Sequence, residues 1–297
     1  DLGDMTEATL IDVALNATGQ APMIPGATDR NADGAVSLNL DARSAELDTL
    51  NIGAQGEASR FNLALENNAS VIDTTTIRGD GDLFLNLANG DGYRLENLDA
   101  TAAGGEILLV NGGPAVEGQE LDFGDGDVTY VTASTNLTGS DALHTGDGQN
   151  AVETHFREGG IAADYQANVE AVNAGKGIQT FILDAWLDDA GSPLTVDVSA
   201  FEDTREFVVN DTHAGGMANV QDTLSNDIQV SGVTDDSGFQ VRALTDADVI
   251  QMYAGAEGAT TLDLTLAGAD GDAAVDVRSD LSVNAIEVAD TTGSFSA

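Results

Sequence analysis

Twelve acidic and amide side chains of this chain lie in short, glycine-broken phrases whose spacing suits a hard divalent cation. The first is Asp29-Arg-Asn31-Ala-Asp33-Gly34, which places oxygen ligands at alternate positions and then a glycine. That is the opening half of a calcium loop, where the glycine makes the sharp turn. The second half departs from it: Leu40 stands where a bidentate Glu belongs, with Asp41 one residue late. Val36-Ser-Leu38-Asn-Leu40 alternates like a strand, so no helix–loop–helix site is expected. Asp29, Asn31 and Asp33 read either as calcium ligands completed by a neighbouring loop or as a plain Asx turn.

A second phrase runs from Gly139 to Val152. Gly139 and Gly148, Asp141 and Asn150, and Leu143 and Val152 are each nine residues apart. This is the period of Gly/Asp-rich nonapeptides that hold calcium between turn carbonyls and Asp carboxylates. Further Asp-Gly-Asp turns add Asp80 and Asp82, Asp125 and Asp127, and Asp270 and Asp272. Calcium takes about six to eight oxygens, so one such turn alone is a solvated turn, and several in register are a cation-binding surface.

Nothing comparable points to catalysis. His144, His155 and His213 are scattered, and no Gly-x-Ser-x-Gly elbow, phosphate loop or dinucleotide fingerprint is present. The chain is therefore read as a non-enzyme. Trp186, in Phe181-Ile-Leu-Asp-Ala-Trp-Leu, is either a sugar platform or a core aromatic on a strand.

Composition narrows the partners. Ten Lys and Arg face 51 Asp and Glu over 297 residues, a net charge of -41. Nucleic acid and anionic membrane surfaces are excluded as partners, because both are bound through Lys and Arg. No apolar run is long enough to span a bilayer as a helix. With no cysteine there is neither a disulfide framework nor a thiolate metal site. The acid excess fits two settings, salt adaptation and neutralisation by bound divalent cations. The chain opens at Asp1 without Met or a basic-then-apolar leader, as expected of a processed product or a piece of something longer.

Strands must carry these turns. Phe61-Asn-Leu63-Ala-Leu65, Leu83-Phe-Leu85-Asn-Leu87 and Leu262-Asp-Leu264-Thr-Leu266 alternate with period 2, the mark of a strand with one buried face. A second phrase recurs as Leu47-Asp-Thr-Leu50-Asn-Ile52, Leu95-Glu-Asn-Leu98-Asp-Ala100, Val169-Glu-Ala-Val172-Asn-Ala174 and Val283-Asn-Ala-Ile286-Glu-Val288. Short strands separated by Asp-Gly and Asn-Gly turns suit a stacked repeat with a thin core poor in aromatics. Helix is expected over Met5–Asn16 and Ile161–Val172.

These residues resemble a known family. Leu47 to Ile52, Phe61 to Leu65, Asp73-Thr-Thr-Thr and Gly81-Asp-Leu-Phe-Leu-Asn-Leu look like the rungs of bacterial calcium-dependent surface-layer proteins with β-solenoid, type I-secreted repeats. The resemblance implies a parallel β-helix, calcium at inter-strand turns and in lattice contacts with Asp141, Asp147 and Asn150 as ligands, and secretion by a C-terminal signal. The expected fold is all-β, a parallel β-helix or β-solenoid with a short N-terminal helix, the alternative being tandem β-sandwich domains. The expected organisation is a strand-rich segment 1–138, a Gly/Asp-rich junction 139–168 and a second strand-rich segment 169–297. The expected function is a self-assembling extracellular protein, a surface-layer or filament subunit stabilised by Ca2+. Its partner is itself, together with cell-surface polysaccharide. The alternative is an adhesin or carbohydrate-binding stalk.

Overall fold

The structure, a computed structural model, describes the backbone at residues 10–16, 36–41, 47–56, 58–66, 71–89, 94–112, 116–156, 161–185 and 194–210, and in seven later strands. Side chains are described at 49–56, 73–87, 95–112, 116–156, 163–183 and 196–208. The chain divides into two compact units, Asp1–Val152 with Glu170–Ile178, and Glu153–Val169 with Gln179–Ala297.

The first unit is built from β1 (Leu10–Asn16), β2 (Val36–Asp41), β3 (Leu47–Gln55), β4 (Ala58–Glu66), β5 (Val71–Gly79) and β6 (Asp82–Asn89). It continues through β7 (Arg94–Ala103), β8 (Ile107–Asn111), β9 (Glu120–Asp122), β10 (Val128–Ala133) and β11 (Ala142–His144), with β12 (Asn150–Phe156) following. Successive strands alternate between two parallel sheets. The odd strands form a six-stranded sheet in the order β1-β3-β5-β7-β9-β11, and β2, β4, β6, β8 and β10 lie side by side in another.

Period-2 patterning explains the core. Leu50, Thr75, Leu98, Leu121 and Leu143 pair in register across the odd sheet, and all are buried. Leu85, Leu109 and Tyr130 do the same in the even sheet. Each such leucine contributes about 2 kcal/mol of burial, so a column repeating every rung outweighs any single contact. The even sheet is buried on its second face too, where Phe84, Leu108 and Val131 cluster with Val110 against them. Inside, the Asn111 amide donates to the Tyr130 hydroxyl at 3.0 Å, and burial pushes the Tyr130 phenol up to about 12.

After β12 comes helix α1 (Ile161–Ala174), where the sequence predicts one. Ala163, Ala167 and Ala171 are strong helix formers. Tyr165, Asn168, Val169 and Val172 recur at helical spacing and are buried.

The second unit holds β13 (Thr180–Ala185), β14 (Leu194–Asp197), β15 (Glu206–Asn210), β16 (Ile228–Val233), β17 (Gly238–Arg242), β18 (Val249–Ala254), β19 (Leu262–Ala267), β20 (Asp272–Arg278), β21 (Val283–Ala289) and β22 (Ser294–Ser296). Alternation continues: β13-β15-β17-β19-β21 run in parallel order, and β14-β16-β18-β20-β22 form a five-stranded sheet. Its described core is aromatic, against the expectation of a core poor in aromatics. Phe201 lies 4.8 Å from Phe181, 5.5 Å from Phe207 and 6.2 Å from Tyr165, centroid to centroid. The Tyr165 hydroxyl donates to the Asp197 carbonyl at 2.9 Å, which gives its polar end a partner.

The fold expectation needs correction on three counts. A closed β-helix or solenoid is overturned by separate open parallel sheets and by a helix between the strand runs. Each repeat supplies one strand to each of two sheets, and the strand order of every sheet is linear, so the sheets end in open edges. The N-terminal helix is replaced by β1, because pairing of Leu10–Asn16 with Thr49–Gln55 in parallel register overrides an ambiguous local pattern. Tandem β-sandwiches fail as well, since the pairings found are parallel and sandwiches are antiparallel.

Candidate functional site

Acid-lined turns join the odd strands to the even ones in the first unit, and they stack. Gly104 N donates to Gly79 O at 2.9 Å, Gly81 N to Ala54 O at 3.3 Å, and Gly146 N to Gly124 O at 2.6 Å. At the start of each even strand, Leu83 N donates to Glu106 O, Ile107 N to Asp127 O and Val128 N to Gln149 O, at 2.8, 2.8 and 3.1 Å. Neighbouring turns therefore follow each other at rung spacing, about 4.8 Å.

Glycine makes this approach possible, and mostly not through its φ. A Cβ on Gly105 would stand 2.5 Å from the Gly81 carbonyl, and one on Gly126 would stand 2.7 Å from Gly105 O. One on Gly148 would collide with Gly126 O. Neither of those distances is one that real Cβ atoms adopt. The glycine of each turn thus lies directly over backbone of the turn before it.

Beside this glycine column runs a column of acids. Asp82, Glu106 and Asp127 occupy equivalent places on three successive turns, and Gln149 takes the next. Asp82 Oδ1 accepts Glu106 N at 2.9 Å, and Asp127 Oδ1 accepts Gln149 N at 2.7 Å. Each carboxylate so placed pins the following turn. Glu106, half-buried, has its carboxyl pushed above the ordinary value of 4.5, first by burial and then by the charges of Asp82 and Asp127. Asp80, Asp125 and Asp147 are exposed in the same turns.

No family model matches this chain, and neither does any curated protein or solved structure. Among the described residues, no three His, Asp or Glu side chains converge to hold a metal ion. The described turns do not form a calcium cage; they carry a column of carboxylates, one on each of three successive turns.

The remaining predicted ligands scatter. Asp141 is buried, with Oδ1 accepting Gln119 N at 2.8 Å and Oδ2 accepting Thr138 N at 2.7 Å. Asn150 is also buried, and its amide donates to Gly148 O at 2.9 Å and Gly177 O at 3.2 Å, tying turns together. Asp141 precedes β11 and Asn150 opens β12, so the nine-residue spacing spans two different turns. Asp272 begins β20, and its side chain lies outside the described residues. Asp29, Asn31, Asp33, Asp270 and Trp186 lie outside them altogether, as does His213.

Some structural residues carried no motif. Gln119 is buried with its amide on the Leu95 carbonyl. Asp99 takes the Thr101 hydroxyl at 2.6 Å and the Thr101 amide at 3.1 Å, which holds its carboxyl below the usual range. Asp197 and Ser199 repeat that arrangement, so Asp-x-Ser/Thr was the signal available. His155 sits 2.8 Å from the buried Glu153 carboxylate. Among the described residues, no helix is long and apolar enough to cross a membrane.

Proposed function

We propose that this chain is a structural, non-enzymatic protein of the cell exterior that assembles with copies of itself, as the surface-layer resemblance implies, and that divalent cations stabilise it. One observation carries the reading: Asp82, Glu106 and Asp127 stack on consecutive turns, close enough that the charges of Asp82 and Asp127 act on Glu106. Like charges held at rung spacing oppose the compact state, and bound cations relieve that opposition. Calcium, a hard cation content with carboxylate and carbonyl oxygen, bridges carboxylates of adjacent turns and of adjacent copies. Cell-surface polysaccharide, rich in the same oxygen ligands, joins the assembly through shared ions.

The test is a melting curve in CaCl2 against NaCl of equal ionic strength. A cation bound to the folded chain at a hundredfold excess over its dissociation constant adds about 2.7 kcal/mol, a rise of about 4 °C for a chain of 297 residues. Excess chelator should reverse it. Equal melting in calcium, sodium and chelator would leave the acid excess as salt adaptation only.

A further inference from the structure

We propose that copies of this chain join head to tail by strand addition, the free edge of β21 on one copy pairing in parallel with the free edge of β2 on the next. The inference rests on the self-assembly reading above and names the surface that carries it; it draws nothing from the acid column.

Every sheet of the fold is a linear run of strands. Among the described strands, β2 pairs only with β4 and β21 only with β19, each in parallel, so each has one edge without a neighbour. β1 likewise ends the six-stranded sheet and β22 the five-stranded one. Such an edge carries N–H and C=O groups that a further strand satisfies, and proteins that keep their edges apart place Pro or Lys there. β1, β2, β21 and β22 contain neither.

The occupant that fits is a second copy. β2 and β21 are the two outer strands of one eleven-stranded sheet. Only these unlike edges meet with strand direction and sheet face both preserved, as between neighbouring strands inside the sheet. A contact of this kind leaves a fresh β2 edge at one end of the assembly and a fresh β21 edge at the other, so it propagates. Main-chain hydrogen bonds supply its affinity, as in other strand additions. The net charge of -41 opposes the approach of two copies, and ions that screen it ease that approach.

The residues also set a register. Within the sheet, Leu38 pairs with Leu63 and Leu40 with Leu65 at one end, and Leu264 pairs with Ile286 and Leu266 with Val288 at the other. Laying Ile286 opposite Leu38 and Val288 opposite Leu40 continues those apolar positions across the junction and sets Glu287 opposite Asn39. A slip of one residue would set apolar positions opposite polar ones.

The chain has no cysteine, so substituted ones report alone. Asn39→Cys and Glu287→Cys, prepared separately, are mixed in equal amounts in CaCl2 and in chelator and then oxidised. Dimers joined between positions 39 and 287 should exceed those joined between like positions by about tenfold, because a head-to-tail contact never brings like positions together. Ser37→Cys with Ala285→Cys, two residues back in the same register, should repeat the result. Asn39→Cys with Thr265→Cys, on the inner strand β19, should give far less. The proposal is overturned if like-position dimers match the mixed ones, if ordered assemblies form without the mixed dimer, or if no dimer forms in either condition. A mixed dimer in chelator as well as in calcium upholds the edge contact and removes the need for calcium. Calcium-dependent assemblies that lack the mixed dimer do the reverse.

Discussion

Gly105→Ala should destabilise the chain by about 3 kcal/mol, at the upper end of the cost of overpacking a closed site, while Gly104→Ala, one residue earlier, should change stability by less than about 0.5 kcal/mol. The contrast comes from what each new methyl would meet. At Gly105 it stands 2.5 Å from the Gly81 carbonyl and 2.8 Å from Asp82 N, all backbone, and backbone held by inter-turn hydrogen bonds. At Gly104 it meets the far end of the Asp80 side chain at 3.3 Å, and the nearest backbone atom, the Asp80 Cα, is at an ordinary 4.0 Å. Gly118 separates the second cause of glycine preference. Its φ is +76° but nothing lies within 4 Å of a Cβ, so Gly118→Ala should cost about 1 kcal/mol from backbone strain alone. Urea midpoints of the three variants check the order Gly105, Gly118, Gly104. Equal losses at Gly104 and Gly105 would mean the turns do not stack as described.

The second large effect is expected at Asp141. Asp141→Ala strips the acceptor from Gln119 N and from Thr138 N, bonds of 2.8 and 2.7 Å. Two amide donors left unmet in a closed region cost about 4 kcal/mol together. Asp141→Asn should lose about half of that, since an amide keeps one acceptor and turns a donor toward the other N–H. The turn is cross-tied further, by Ala142 N on Gln119 O at 2.9 Å and Gly118 N on Ser140 Oγ at 3.0 Å. Because the partners of Asp141 are backbone amides, both losses should be the same in calcium and in chelator. A loss that disappears in chelator would make Asp141 a metal ligand after all.

Much of the strand content was legible in the residues themselves. Leu83-Phe-Leu85-Asn-Leu87 and Leu262-Asp-Leu264 alternate cleanly and lie on β6 and β19. Where local pattern was ambiguous, distant partners decided. Leu10, Val13, Ala14 and Leu15 fit one face of a helix, yet Ile11, Val13 and Leu15 also alternate, and the parallel partner in β3 selects the strand. The recurring phrase shows the same ambiguity in reverse. Leu47-Asp-Thr-Leu50-Asn-Ile52 is strand in β3, while Val169-Glu-Ala-Val172-Asn-Ala174 closes α1. Its alanines and the Tyr165–Val169–Val172 spacing favour helix.

The turns were legible in part. Asp-Gly phrases marked their positions, where glycine commonly supplies a positive φ. A positive φ is found at Gly79 and Gly124. Gly81, Gly105, Gly126 and Gly148 answer to another constraint, the backbone of the turn before. No local window of sequence contains that neighbour. Asp141 was singled out for its Gly-rich surroundings, whereas its partner Gln119 lies 22 residues away. The alternation of strands between sheets, and the linear order of each sheet, are likewise properties of pairing between repeats.

The central claim, that divalent cations acting on acid-lined turns drive assembly of copies, meets its most direct test in negative-stain electron microscopy of the purified chain with calcium and after excess chelator. Cation-driven assembly predicts ordered sheets or filaments in calcium that disperse to single chains in chelator and re-form when calcium is restored. Single chains in both conditions, or assemblies indifferent to chelator, would contradict it.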